Sequence, residues 1–228
     1  MADDHVLDNP IWHALSTTQA GYAQVHGRAR RFDPEVAAFA AVDELDEDAW
    51  SDLAALAEPG AVAVLARRRP FIPGPGWTSL FAAGGDQMML ERPVEVVERP
   101  PGLRELTVDD VPEMLELVRL TEPGPFAPRT VELGGYQGIF EDGRLLAMAG
   151  QRMNIEGYTE ISAVCTHPDA RRRGYAATLT SVVAAGIAAA GKTPILHVSE
   201  HNEPARRVYE ALGFKTRARL AFAALRAP

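Results

Sequence analysis

The sequence contains a single cysteine, Cys165, so no disulfide can form within the chain, which favours a reducing compartment. Long hydrophobic runs are also missing. The most apolar stretch, residues 176–191, contains Thr and Ser and is shorter than the roughly 18 residues that a membrane span needs. The first residues, MADDHVLDNP, are acidic and lack the basic and then apolar layout of a signal peptide. These absences predict a cytoplasmic protein that binds no membrane.

Positive charge and metal-ligand motifs are scarce as well. The formal net charge is −8, and a nucleic-acid phosphate backbone attracts positively charged surfaces. The six histidines are scattered, with no HExxH motif, and a CxxC motif is impossible with one cysteine. We therefore expect neither a nucleic acid partner nor a metal cofactor.

Two proline-rich stretches divide the chain. RRRPFIPGPGW, residues 67–77, is typical of a surface loop, because proline removes backbone donors and fixes φ. ERPVEVVERPPG, residues 91–102, has too few apolar positions for a buried element and is interpreted as a connection. The pattern predicts an N-terminal lobe, 1–98, and a second domain, 101–228, within a total length that can bury a core.

Residues 1–98 give weak signals for secondary structure. Residues 9–32 favour one or two helices, residues 46–57 a further helix, and residues 35–42, 60–66 and 87–90 short strands. Residues 101–228 give a clearer α/β order. We predict strands at 103–107, 136–155 (a hairpin), 157–166, 194–200 and 214–225, and helices at 108–121, 176–190 and 204–213.

The segment CTHPDARRRGYA, residues 165–176, joins a predicted strand to a predicted helix. A helix begins with backbone N–H groups that have no partner inside the helix, and a phosphate can accept from several of them. Gly174 and Ala176 would let the phosphate approach, and the arginines 171–173 would attract it. The segment therefore predicts a local phosphate site, although an arginine-rich turn is also typical of a solvated surface loop.

These residues resemble a known family. Arg171-x-x-Gly174-x-Ala176 is similar to the (Q/R)-x-x-G-x-(G/A) loop of the GCN5-related N-acetyltransferases (GNAT), and HNEPARRVYEALGF, residues 201–214, is similar to their second coenzyme segment. The C-terminal half most resembles the FR47-like branch. The resemblance implies an α/β (α+β) GNAT fold with a mixed central sheet, splayed middle strands and flanking helices. Residues 1–98 would be a degenerate GNAT-like lobe.

The resemblance also implies the binding site of the cosubstrate, acetyl-coenzyme A. The strand 157–166 would carry a bulge and pair with the pantetheine arm, with the Val164 N–H facing the thioester oxygen. The implied binding residues are Val164, Cys165, Thr166, Arg171, Arg172, Arg173, Gly174, Tyr175, Ala176, Ala177, Asn202, Ala205 and Tyr209. For Cys165, a buried apolar filler is the plainer interpretation.

Two side chains are candidates for catalysis. Tyr209 would give a proton to the leaving thiolate; the alternative is a packed aromatic residue with its ring in the core. Glu160 occupies the position of the catalytic glutamate of the histone-acetylating members, and a carboxylate in an apolar cleft would have a raised pKa and accept the amine proton. Other GNAT enzymes use other bases; His197 is a second candidate, while His167 and His201 are typical of solvated loops.

The leading functional hypothesis is an N-acetyltransferase that transfers the acetyl group of acetyl-coenzyme A to a primary amine by direct attack in a ternary complex. The acceptor would be a small-molecule or peptide amine, and a homodimer stays open. The alternative is a coenzyme sensor or partner-binding module without catalysis. The loops that would surround the acceptor leave its identity open, because a fold does not determine a substrate.

Overall fold

The computed structural model describes residues 5–92 and 99–228. The α-helices are α1 (Pro10–Ser16), α2 (Glu47–Leu56), α3 (Val111–Thr121), α4 (Tyr175–Ala189) and α5 (Glu203–Ala211). The strands are β1 (Ala23–His26), β2 (Ala29–Phe32), β3 (Ala40–Val42), β4 (Val62–Arg67), β5 (Thr78–Leu90), β6 (Leu103–Glu105), β7 (Gln137–Glu141), β8 (Arg144–Ile155), β9 (Tyr158–Thr166), β10 (Thr193–Ser199) and β11 (Phe214–Arg226).

Most strands form one mixed sheet. Its eight strands lie in the order β4-β11-β5-β10-β9-β8-β7-β6, while β1, β2 and β3 form a separate antiparallel sheet. All pairs within the large sheet are antiparallel except β9 and β10, which run parallel. The helices flank this sheet, which confirms the predicted mixed α/β fold.

The element order of residues 101–228 is confirmed, and local signals explain it. The β7–β8 hairpin turns at Asp142 and Gly143, which both have positive φ. A 3-10 turn precedes α3, and its N-terminus is capped by Thr107 and Asp110 acting reciprocally. Helix α5 has proline in its first turn and is capped by Asn202, whose side chain accepts from the Ala205 N–H.

The prediction for residues 9–32 was wrong after Ser16. A 3-10 turn follows α1, and β1 and β2 then form a hairpin, with Gly27 at φ 47° in its turn. An added Cβ at Gly27 would lie 2.2 Å from an oxygen of Asp52, so the turn and α2 approach closely there. The hairpin depends on β3, which pairs with β2 and comes later in the chain, so the local pattern could not show it.

Strand β5 is much longer than the predicted segment 87–90. Gly84 and Gly85, which suggest a turn in the sequence, lie inside the strand. A Cβ at Gly85 would lie 3.0 Å from the Phe222 ring and 3.1 Å from the Val198 carbonyl oxygen, so glycine permits close packing of neighbouring strands.

The two halves of the chain share the large sheet. Strand β5 lies between β11 and β10, and β4 pairs with the outer edge of β11. The N-terminal half also has the order helix, three antiparallel strands, helix, strand (α1, β1–β3, α2, β4), which is the order of α3, β7–β9, α4 and β10. The division into an N-terminal lobe, 1–98, and a domain, 101–228, stays a prediction, and most of the connection between them, residues 93–98, lies outside the described residues.

Strands β9 and β10 separate partway along their length. Their parallel pairing ends at Ile161 and Leu196, although β9 continues to Thr166 and β10 to Ser199. Next to the separation, β9 carries a bulge against β8, where Ala163 has φ 52°. The expected splayed strands are thus present, and the bulge turns the backbone of β9 at the point where the gap opens.

Candidate functional site

A cleft of about 1090 Å³ opens where β9 and β10 separate. Its walls come from the end of α3 and the following loop, from the N-terminus of α4 and from α5. Twelve of the predicted coenzyme-binding residues line it: Val164, Cys165, Thr166, Arg171, Arg172, Gly174, Tyr175, Ala176, Ala177, Asn202, Ala205 and Tyr209. The fold therefore brings two distant sequence motifs to one cavity.

The N-terminus of α4 presents free backbone donors to this cleft. No hydrogen bond within the described chain uses the N–H groups of Tyr175, Ala176 or Ala177, and no side chain caps the helix. The N-cap residue, Gly174, has φ 81°, and an added Cβ would meet no atom of the described residues within 4 Å. Glycine is thus favoured there by backbone conformation, and the space above it is open for an anion.

The three consecutive arginines have different environments. Arg171 and Arg172 line the cleft. The guanidinium of Arg173 instead forms an ion pair with Glu141, donating from Nη1 to Oε2 at 2.9 Å, and it lies over the Tyr175 ring. The Tyr175 hydroxyl also donates to Glu141. Arg173 therefore contributes to the hairpin–helix contact, and only the first two arginines are placed to contact a ligand in the cleft.

The far half of β9 offers its backbone to the cleft. After Ile161 no described strand pairs with β9 on its β10 side, so the backbone edge from Ser162 to Thr166 is open to the cleft. Burial raises the pKa of the Cys165 thiol to about 12, which keeps it protonated and unreactive. The Thr166 Oγ1 is buried without a hydrogen-bond partner in the described chain, although the residue lines the cleft.

Helix α5 places Tyr209 at the cleft. Its ring packs edge-on against Phe214, with 6.1 Å between ring centroids, and the residue is 8% exposed. Burial raises the pKa of the Tyr209 hydroxyl to about 12, with a smaller contribution from Cys165. The hydroxyl is therefore protonated at every physiological pH and can act as a donor.

The environment of Glu160 differs from the expectation. Its buried carboxylate accepts from Arg152 Nε at 2.9 Å and Nη2 at 2.6 Å, and from His197 Nδ1 at 2.7 Å. Burial alone would raise the pKa of Glu160, but the Arg152 charge and the His197 contacts outweigh it and lower the pKa to about 2. The expected raised pKa was wrong, because the cleft floor is charged at this point. Glu160 is also absent from the described lining of the cleft.

His197 lines the cleft but is held at both ring nitrogens. Since a carboxylate only accepts, Nδ1 carries a hydrogen and donates to Glu160, and Nε2 can accept from the Gln87 amide at 3.0 Å. Among the other histidines, His167 is largely buried and contacts Arg144, unlike a solvated loop residue, while His201 is largely exposed.

Sequence reasoning missed Arg152, Gln87 and Phe81, which lie in the wall of the cleft or directly behind it. Arg152 and Phe81 line the cleft, and Gln87 supports His197. For Arg152 a signal existed, because a charged residue inside a long apolar strand such as β8 needs a buried partner. Gln87 and Phe81 lie on β5, whose position in the sheet depends on long-range pairing.

The described residues show two further absences. Within 5–92 and 99–228, no group of three or more His, Cys, Asp or Glu side chains is arranged to hold a metal ion. In the same ranges, no helix has both the length and the apolar character required to cross a membrane.

Comparison with known proteins gives a consistent picture. The model of the FR47-like protein family matches residues 136–223. A crystal structure of a GNAT-family protein from Novosphingobium aromaticivorans DSM 12444 is 39% identical, with a TM-score of 0.92, over 99% of this chain and 100% of that chain. Comparison with curated proteins gave no match.

Two more distant structures share the fold. A GCN5-related N-acetyltransferase from Kribbella flavida is 20% identical with a TM-score of 0.61, over 96% of both chains. A tandem GNAT protein from the clavulanic acid biosynthesis pathway is 18% identical with a TM-score of 0.57, over 90% of this chain and 80% of that chain. With the 39% identity over nearly the full length of both chains, these findings show that the chain belongs to the GCN5-related N-acetyltransferase family of acyltransferases.

Proposed function

We propose that the protein is an N-acetyltransferase that transfers the acetyl group of acetyl-coenzyme A to a primary amine within a ternary complex. The observation that carries the proposal is the set of free N–H groups at Tyr175, Ala176 and Ala177, which open into the same cleft as β9 and Tyr209. Diphosphate binding at these donors would direct the rest of the cosubstrate along the open edge of β9.

Binding in this orientation uses groups that the fold leaves free. Arg171 and Arg172 add charge at the diphosphate end, and the unpaired backbone of β9 accepts and donates along the pantetheine arm. The side-chain oxygen of Asn202, Oδ1, caps α5 by accepting from the Ala205 N–H, so the side-chain nitrogen, Nδ2, is the part available to the pantetheine arm. The backbone N–H of Val164, at the bulge, is proposed to polarise the thioester carbonyl.

We assign the stabilisation of the leaving thiolate to the hydroxyl of Tyr209. A thiol of ordinary pKa, about 8.5, is more acidic than a Tyr209 hydroxyl with a pKa of about 12. Complete transfer of the tyrosine proton would thus cost about 5 kcal/mol. The hydroxyl is better suited to donate a hydrogen bond that stabilises the thiolate until a proton released by the amine replaces it.

The pKa of Glu160 disfavours a direct role in removing that amine proton. With a pKa of about 2, the carboxylate is a far weaker base than an amine with a pKa near that of lysine, about 10.4. We propose instead that the acceptor enters as the neutral amine, or loses its proton to water in the cleft. The Arg152–Glu160–His197 group would then shape the acceptor end of the cleft.

The same observation favours a second candidate, a coenzyme-binding module without catalysis, because the expected base is occupied. Thiol release distinguishes the two functions. The purified protein would be mixed with acetyl-coenzyme A and a panel of primary amines, and free thiol and acetylated product would be measured together. If the protein is an enzyme, free thiol and acetylated amine should form in equal amounts. Tight binding of acetyl-coenzyme A in calorimetry without amine-dependent thiol release would favour the binding module.

A further inference from the structure

The guanidinium of Arg152 has an unused edge at the acceptor end of the cleft. An arginine has five N–H donors, and Glu160 uses one on Nε and one on Nη2. No hydrogen bond within the described chain uses Nη1. The side chain is 11% exposed and lines the cleft, so the free donors lie where a ligand can reach them.

The position of this edge is fixed by two contacts. Glu160 holds one side of the guanidinium, and the Phe39 ring lies against its face, 4.5 Å from Cζ to the ring centroid. Phe39 is itself buried. An arginine held in this way loses little side-chain entropy when it forms further hydrogen bonds, so the free edge is preorganised for a planar acceptor.

The site lies at the opposite end of the cleft from the proposed diphosphate site. Strand β9 runs from Glu160, beside Arg152, through the bulge at Ala163 to Thr166, beside the loop that leads to α4. Among the described residues that line the cleft, three are arginines, and Arg171 and Arg172 belong to that loop. Arg152 is the arginine that a molecule opposite the thioester would meet.

We propose that the acceptor amine carries a carboxylate, and that the free Nη1 edge of Arg152 binds this carboxylate and so determines substrate specificity. The inference rests on the proposed acetyl transfer and names its acceptor class, amino acids. Carboxylates accept paired hydrogen bonds from arginine in one plane, a geometry that a lysine or a neutral amide does not reproduce. Binding the carboxylate would hold the neighbouring amine near the thioester.

A purely structural role for Arg152 would lead to a different acceptor specificity. If the arginine only neutralised Glu160, the cleft would not distinguish amines with a carboxylate from amines without one. If it binds substrate, the loss on mutation falls on acceptors that carry a carboxylate. Specificity among matched acceptors therefore separates the two roles.

The test uses α- and ω-amino acids and their carboxamides as matched pairs. The amine of an α-carboxamide is less basic than that of the acid, so intrinsic reactivity favours the amide and opposes the expected result. With acetyl-coenzyme A saturating, we expect at least one acid to exceed its amide tenfold or more in kcat/KM. Arg152→Lys keeps the charge beside Glu160, and it should lower kcat/KM for that acid at least tenfold while changing the amide less than threefold.

The control variant is Arg144→Lys, on the same strand but outside the cleft, which should leave both values within twofold. Thermal unfolding and calorimetry with acetyl-coenzyme A would show that Arg152→Lys is folded and binds its cosubstrate. Equal use of acids and amides by the wild type, or an equal loss for both in Arg152→Lys, would refute this inference alone. Transfer to no amine at all would refute the proposed function and this inference with it.

Discussion

A negative charge at the N-terminus of α4 should abolish cosubstrate binding, and Gly174→Asp introduces it. The open space above Gly174 is the space that the diphosphate would occupy. A carboxylate about 5 Å from a phosphate charge costs about 3 kcal/mol at an effective dielectric constant of about 20. Loss of one hydrogen bond from the helix N-terminus to the charged group adds about 1.5–3 kcal/mol. Together these effects predict at least a 1,000-fold loss of affinity, or about 4 kcal/mol.

Calorimetry with acetyl-coenzyme A measures the effect, and two variants separate charge from backbone strain. Gly174→Ala adds only the conformational cost of a side chain at positive φ, which lowers the free energy of unfolding by about 1–2 kcal/mol. This variant should retain most of the affinity for acetyl-coenzyme A. Gly60→Asp is the matched control, because Gly60 has φ 77° and lies outside the cleft, and no described atom lies within 4 Å of an added Cβ there. A dissociation constant for Gly174→Asp within threefold of the wild type would show that the diphosphate does not bind at the N-terminus of α4.

Three further predictions follow from the site. Tyr209→Phe should lower turnover at least about tenfold while the dissociation constant of acetyl-coenzyme A, from calorimetry, stays unchanged. Arg172→Ala should weaken cosubstrate binding about tenfold, whereas Arg173→Ala should weaken it less than threefold in the same assay, because Glu141 already holds Arg173. The pKa of Glu160 is about 4.5 in the unfolded chain and about 2 in the folded protein, so the ionised carboxylate stabilises the fold by about 3 kcal/mol above pH 4.5. This stabilisation is lost as the pH falls from about 4.5 towards 2. Denaturant unfolding of the wild type and Glu160→Gln should therefore differ most at neutral pH and converge towards pH 2.

Each of these predictions has an outcome that would contradict it. Unchanged turnover in Tyr209→Phe would remove that hydroxyl from the chemistry. A larger loss of affinity in Arg173→Ala than in Arg172→Ala would mean that the cosubstrate displaces Glu141. A constant stability difference between the wild type and Glu160→Gln from pH 7 to pH 2 would show that Glu160 titrates normally in the folded protein.

The sequence was most informative where local chemistry decides the structure. Prolines, glycines and caps determine where α5 and the β7–β8 hairpin begin and end, and the spacing of Arg171, Gly174 and Ala176 indicated the helix N-terminus. These features depend on neighbouring residues, so a single sequence carries them. The element order of residues 101–228 follows from the same local rules.

The sequence was least informative where distant segments decide the structure. Strand β5 contains Gly84 and Gly85, which in isolation favour a turn, and it becomes a strand because β11 and β10 pair with its two edges. The environment of Glu160 could not be predicted either. Its position suggested an apolar cleft, but Arg152 on β8 and His197 on β10 surround it with charge and donors, and only the assembled sheet brings the three together.

The most direct test is a crystal structure with acetyl-coenzyme A. Diphosphate oxygens should lie about 3 Å from the backbone nitrogens of Tyr175, Ala176 and Ala177, and the thioester should lie beside Val164. A cosubstrate whose diphosphate lies elsewhere, with these N–H groups left without a ligand, would contradict the proposed binding mode.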